Sequence, residues 1–262
     1  MVFLFLGCDN NNTTTDKNTP AMPATPVINY AVTATHPHDN SLFTEGLLVH
    51  NGQLFESTGS PDDLPATRSV IGITDLKTGQ TTIKAELDRK QYFGEGIAIC
   101  QGKLFQLTYK TKTGFIYNPV TFQKTGSFTY TNNEGWGLTS NGTELIMSDG
   151  TPTLSFLSPD NQQVIRRLAV TENNQPVNYL NELEYINGYI YANVWQTNTI
   201  VKINPANGQV AGKLDLSSLV SEQRFKNPAA LELNGIAYDS AANKIYVTGK
   251  MWQHLYEINF TH

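Results

Sequence analysis

The run NYLNELEYINGYIYANVWQT, residues 178–197, decides the fold. Two strand-like runs flank the dipeptide Asn187-Gly188. Asn-Gly supplies the positive φ angles of a tight hairpin, so the stretch reads as two antiparallel strands joined by that turn. In a hairpin the start of the first strand and the end of the second lie at the same end. Asn181 and Trp195 are therefore expected side by side on one rim.

The same shape recurs four more times. EGLLVHNGQLFESTG begins at Glu45, EGIAICQGKLFQLTY at Glu95, WGLTSNGTELIMSDG at Trp136 and NGIAYDSAANKIYVTGK at Asn234. Their turns fall at Asn51-Gly52, Gln101-Gly102, Asn141-Gly142 and a longer connection through Asn243. A third strand follows each pair, as in SVIGITDLKTGQ, GFIYNPVTFQKTG, TLSFLSPDNQQ and TIVKINPANGQ, and a fourth follows in four of the units. The units open 41 to 53 residues apart, the length of a four-stranded propeller blade. The expected fold is all-β, a five-bladed β-propeller. The fifth unit ends at HLYEINFTH without a fourth strand, and VINYAVTAT, 27–35, is an unassigned strand. That N-terminal strand is expected to complete the last blade, which leaves no long open sheet edge.

Alignment of the units pairs Glu45 with Gly59, Glu95 with Tyr109, Trp136 with Gly150, Asn181 with Trp195 and Asn234 with Lys250. These ten positions should ring one mouth of the central channel. Unlike side chains at equivalent positions of a repeat point to a ligand site. Elsewhere the reading is structural. Glu182 points opposite to Asn181 if its strand is regular, which suits a role between blades, as for Glu134 and Glu184. Asn234 caps its own strand, Asp149 makes turn hydrogen bonds, and Cys100 is a small core residue. The five histidines form no cluster.

A net charge of −5 and a pI near 5.5 argue against nucleic acid, which selects a basic face. Cys8 and Cys100 stand in different contexts and imply no disulfide framework. MVFLFLGC, residues 1–8, is too short to span a bilayer and looks like the end of a bacterial lipoprotein signal without its basic region. The expectation is lipidation at Cys8, attachment to the membrane of the bacterial cell envelope, and a periplasmic location. DNNNTTTDKNTPAMPATP reads as a disordered tether. The division is thus 1–26, signal-like run and tether, and 27–262, propeller, expected as a monomer.

FTEGLLV, FGEGIAI, EGWGLTSNGTELIMSDGT, LNELEYINGYIYANVW, IVKINPANGQV and LNGIAYD with IYVTGKMW resemble the glutaminyl-peptide cyclotransferases of the plant and bacterial type, from about His36 to Ile258. The resemblance implies a five-bladed propeller that closes the N-terminal Gln of a peptide or protein to pyroglutamate and releases ammonia. It implies Glu95 of FGEG as the general acid/base. Catalytic company falls to Asn181 of LNELE and Lys250 of VTGK. Substrate contacts fall to Phe43, Glu45, Phe93, Tyr109, Trp136 and Trp195. Glu45 stands where plant members carry Gln, and Tyr109 where the family often has Trp.

That reaction is an intramolecular aminolysis. The amine must lose a proton to attack, and the leaving nitrogen must gain one; a single carboxyl within reach of both can shuttle it. A donor to the oxyanion comes from Asn181, Lys250 or an indole N–H. Glu45 accepts from the substrate ammonium or its amide NH2. No cofactor is expected, and HxxxH or Cys-rich zinc spacings are absent. Two other readings compete: a non-catalytic propeller that binds peptide N-termini, and a calcium-dependent lactonase-like propeller, which the mixed rim with Lys250 disfavours.

Overall fold

In the computed structural model the described residues are 1–2 and 24–262; Cys8 and most of the tether expected before Val27 lie outside them. Five four-stranded antiparallel sheets surround one axis. The first comprises Thr44–His50, Gln53–Thr58, Val70–Thr74 and Thr81–Glu86. The second runs through Gly94–Cys100, Lys103–Thr108, Thr113–Tyr117 and Lys124–Thr129. The third holds Leu138–Ser140, Leu145–Met147, Thr153–Leu157 and Val164–Ala169. The fourth holds Leu180–Ile186, Tyr189–Val194, Thr199–Ile203 and Val210–Asp215. In the fifth, Leu233–Asp239, Lys244–Gly249 and His254–Asn259 are completed by Ala31–Pro37. That closing strand pairs antiparallel with His254–Asn259, with Ala31 opposite Asn259 and Pro37 opposite His254. The molecule is the expected five-bladed propeller, and its two ends share a sheet.

The turns follow from their residues. Asn51-Gly52, Gln101-Gly102 and Asn187-Gly188 all have both φ angles positive, the type I′ geometry that matches strand twist. The third blade differs. There only Gly142 is left-handed, and Asn141 Oδ1 instead accepts the amides of Thr143 and Glu144 at 3.0 and 2.7 Å. Apolar faces of adjacent blades then pack together. Ile146 and Phe156 of the third meet Leu183 and Ile190 of the fourth in one buried cluster.

The innermost strands are not regular. Pairing slips by one residue at Glu45 in the first blade, at Glu95-Gly96 in the second, at Asn181-Glu182 in the fourth and at Asn234-Gly235 in the fifth. A β-bulge re-aims the side chains it displaces. Glu182 is therefore not simply opposed to Asn181. It lies on the axis, where it accepts the amides of Ile236 at 2.8 Å and Leu47 at 3.3 Å and links three blades. Two further elements were not expected: a small hairpin of Thr171–Glu172 and Gln175–Pro176 between the third and fourth blades, and a helix, Ser217–Lys226, between the fourth and fifth. The helix has no side-chain cap at Leu216, and Gln223 fastens it by accepting the Gln253 amide at 3.1 Å.

Candidate functional site

A ring of hydrogen bonds fixes the backbone under the site. Ser57 Oγ donates to the Glu95 carbonyl at 2.6 Å, and the Gly96 amide donates to the Trp136 carbonyl at 2.8 Å. Ser148 Oγ donates to the Asn181 carbonyl at 2.7 Å, and Asn193 Oδ1 accepts the Gly235 amide at 3.0 Å. Asn234 Nδ2 closes the circle on the Thr44 carbonyl at 3.0 Å. Each blade is thus tied to the next at or beside the start of an inner strand. Close approach of these backbones needs glycine: a Cβ on Gly96 or Gly137 would strike main-chain atoms of the next blade.

Above that ring lies a cavity of about 240 Å³. Phe43, Glu45, Phe93, Glu95, Tyr109, Trp136, Asn181, Trp195 and Lys250 all line it, joined by Pro61. These are the nine site residues named from the sequence. Of the ten rim positions, Gly59, Gly150 and Asn234 do not line it. The two glycines serve as seats. A Cβ on Gly59 would strike the Phe93 ring, and one on Gly150 would press on Trp136. Asn234 does not cap its own strand; its Nδ2 also donates to Glu45 Oε2 at 3.0 Å.

Aromatic rings make two walls. Phe43 meets Phe93 edge-on at 6.0 Å, and Phe93 leans on Tyr109 at 5.7 Å. Opposite, Trp136 and Trp195 meet edge-on at 5.6 Å. The Trp136 indole N–H is already committed to Glu134 Oε2 at 2.9 Å, which removes it from the candidate oxyanion donors.

Charge sits at the floor. Lys250 Nζ lies 2.7 Å from Glu45 Oε1 and 4.5 Å from the centre of the Phe43 ring. Glu45, Glu95 and Lys250 are 2, 4 and 6 % exposed. Two carboxyls cannot both ionise cheaply beside a single ammonium. Burial raises Glu45 to about 7, against the pull of Lys250. Burial first, and then the charge of Glu45, pushes Glu95 well above the ordinary carboxylate range, with Lys250 opposing. Burial also works against the Lys250 ammonium, but Glu45 and Glu95 outweigh it and hold Lys250 above the usual lysine value. Glu45 has an ion pair and an amide donor, whereas Glu95 accepts no side-chain hydrogen bond among the described residues. We therefore place the retained proton on Glu95. Among the described residues Asn181 Oδ1 is buried with no partner, so this oxygen is left to accept from a ligand.

The remaining candidates are structural. Asp149 Oδ1 accepts the Thr151 amide at 3.1 Å. Glu184 accepts the Tyr238 amide at 2.8 Å and the Thr139 hydroxyl at 3.1 Å. His38 is buried and bonded to Glu56 at 3.1 Å and to the Trp252 carbonyl at 2.7 Å. Cys100 is free and buried.

Comparison with known proteins bears on the family and the fold. The sequence pattern of the family described as Glutamine cyclotransferase matches residues 4–260. The glutaminyl-peptide cyclotransferase of Arabidopsis thaliana is 41 % identical over 229 residues, covering 87 % of this chain and 70 % of its own. The crystal structure of Myxococcus xanthus glutaminyl cyclase superposes with a TM-score of 0.81 at 34 % identity, covering 90 % of this chain and 98 % of the other. With nearly its whole length matched at the levels of sequence and fold, the chain belongs to the glutamine cyclotransferase family.

Proposed function

We propose that this protein converts the N-terminal glutamine of peptides and proteins to pyroglutamate with release of ammonia, and that Glu95 moves the proton. The observation that carries this is a buried carboxyl, free of hydrogen bonds among the described residues and held above its ordinary range, between aromatic walls. Perturbed carboxyls in a cleft mark acid–base sites.

The reaction follows from the floor and the walls. The arriving α-ammonium adds a positive charge beside two carboxyls, which favours ionised Glu95; the proton Glu95 held in the empty site passes to solvent as the substrate enters, and the carboxylate can then take the amine's proton. The neutral amine attacks the γ-carboxamide carbon, and a C–N bond forms as the carbonyl π pair moves to oxygen. Glu95 delivers its proton to the departing nitrogen and takes one from the new ring nitrogen. The tetrahedral centre collapses, the old C–N bond breaks, and ammonia leaves and accepts the last proton from Glu95. The Asn181 amide and the remaining Lys250 N–H bonds stabilise the oxyanion, a contribution of roughly 3 kcal/mol for a well-aimed donor. The aromatic walls hold the side chain curled, so that reacting atoms meet at high effective concentration.

The scheme draws only on side chains, and among the described residues no three His, Cys, Asp or Glu side chains gather as metal ligands would. Ammonia release from a Gln-initiated peptide, measured with and without a chelator, tests the proposal. Turnover is expected to survive chelation and to drop about 10²- to 10⁴-fold in Glu95→Gln, the share of general acid–base catalysis. Binding without ammonia would make the protein a receptor for peptide N-termini instead.

A further inference from the structure

The five units carry an additional residue in register, two positions before each rim residue: Phe43, Phe93, Glu134, Tyr179 and Glu232. Four of these are equivalent by backbone bonding. The carbonyls of Phe43, Phe93, Tyr179 and Glu232 accept the amides of Gly59, Tyr109, Trp195 and Lys250 at 2.9, 3.0, 2.8 and 2.9 Å. Phe43 and Phe93 turn into the cavity. Tyr179 does not, and no motif of the sequence draws attention to it.

Its backbone explains the difference. Tyr179 has φ +64°, a left-handed conformation that costs a bulky residue about 1–2 kcal/mol. Bonds on both sides hold it there: its amide donates to the Gly150 carbonyl at 2.7 Å, and its carbonyl takes the Trp195 amide. The fold thus spends strain to aim a large side chain outward, and Tyr179 is 51 % exposed. It meets Trp195 edge-on at 5.9 Å, and Trp195 meets Trp136 at 5.6 Å. Three aromatics therefore form one rank that runs from the cavity wall onto the rim. The neighbouring stretch of rim is charged instead, with Lys110 Nζ 3.8 Å from Glu134 Oε1.

If a glutaminyl residue fills the cavity, the next Cα lies about 3.8 Å further along the chain, at the level of this rank. We propose that Tyr179, with the outer edge of Trp195, forms the subsite for the second residue of the substrate and selects an aromatic or large aliphatic side chain there. The proposal rests on the cyclisation reading above and adds a selectivity to it.

The test compares Gln-Phe-Ala with Gln-Gly-Ala as substrates for the wild type, Tyr179→Asn and Tyr179→Phe. Asn tolerates a left-handed backbone, so Tyr179→Asn removes the ring without opposing the fold, and a thermal melt checks that it folds. An aromatic contact contributes about 0.5–1.5 kcal/mol, so the preference for Phe over Gly in kcat/KM should fall roughly twofold to tenfold, through KM. Tyr179→Phe should keep the preference. An equal change with both peptides, or an equal loss in the two variants, overturns the subsite. Calorimetric titration of both peptides into Glu95→Gln, with and without Tyr179→Asn, separates the two proposals. If the wild type releases no ammonia but the Tyr179-dependent preference in binding persists, cyclisation fails and the subsite stands. If both peptides turn over alike, the subsite fails and cyclisation stands. If neither peptide binds nor reacts, both fail.

Discussion

Two carboxyls buried beside one ammonium leave one charge without a partner, and the site resolves this by keeping a proton. Lys250 and Asn234 both hold Glu45, so the proton falls to Glu95, which points at the space a substrate must fill. Smaller residues decide whether that space exists. Gly59 seats the Phe93 ring, and its backbone is not left-handed, so alanine there is purely a matter of room. Gly59→Ala should displace Phe93 into the cavity and raise KM for a Gln peptide roughly tenfold, a cost near 1.4 kcal/mol, with the melting temperature nearly unchanged; steady-state kinetics beside a thermal melt check this. Residues of this kind divide by legibility. Glu45, Glu95, Trp136, Asn181, Trp195 and Lys250 are readable because aligned repeats put them at one end of each hairpin, and family motifs add Phe43 and Phe93. Tyr179 sits at the same repeat position as those two phenylalanines, yet its left-handed φ has no sequence signal, since Asn and Gly are the residues that announce it. Asn234 misleads for a related reason. Asn serves as well across a blade boundary as at a strand end, and local sequence cannot tell which.

The inner strands show what alternation misses. A period of two places Glu182 opposite Asn181, but the bulges shift the register and bring carboxylates to the axis. There Glu182 and Glu184 stitch the blades through backbone amides. Burial raises Glu184 to about 8, against the hydrogen bonds it accepts. Its value in the folded protein is above its unfolded value, so the native state binds the proton more tightly. That stability is complete below the ordinary carboxylate range and is lost as pH rises through about 8. His38 acts in the same direction. Burial opposes its charge, but Glu56 outweighs burial and raises it, so this pair also weakens as pH rises through the folded value. The melting temperature should therefore fall between pH 6 and pH 9. Glu184→Gln should remove part of that fall, on the order of 5 °C or more, because each kcal/mol moves a protein of this size about 2–4 °C. Calorimetry at the two pH values checks it; an equal fall in variant and wild type would refute the axial role. The helix Ser217–Lys226 escapes a sequence reading for another reason. It is short and mostly polar, and it is held by only three buried side chains, Leu219, Val220 and Gln223, too few to show an apolar stripe.

For the whole molecule, closure matters most, and it was the most legible feature because the fifth unit lacks a strand and the N-terminus supplies one. Without Ala31–Pro37 the strand His254–Asn259 becomes an open edge, an invitation to pairing between molecules. A chain starting after Pro37 should melt several degrees lower and aggregate on heating, as light scattering during a thermal ramp would show. Closure also makes the site possible: five copies of one unit, joined by a ring of hydrogen bonds, deliver unlike side chains to a single cavity. The most direct test of that claim is kcat/KM for a Gln-initiated peptide as a function of pH in the wild type, Glu45→Gln and Lys250→Met. Glu45 pushes Glu95 up and Lys250 pulls it down. The acid limb of the profile should therefore move to lower pH in Glu45→Gln and to higher pH in Lys250→Met. An acid limb at the same pH in all three proteins would contradict the account.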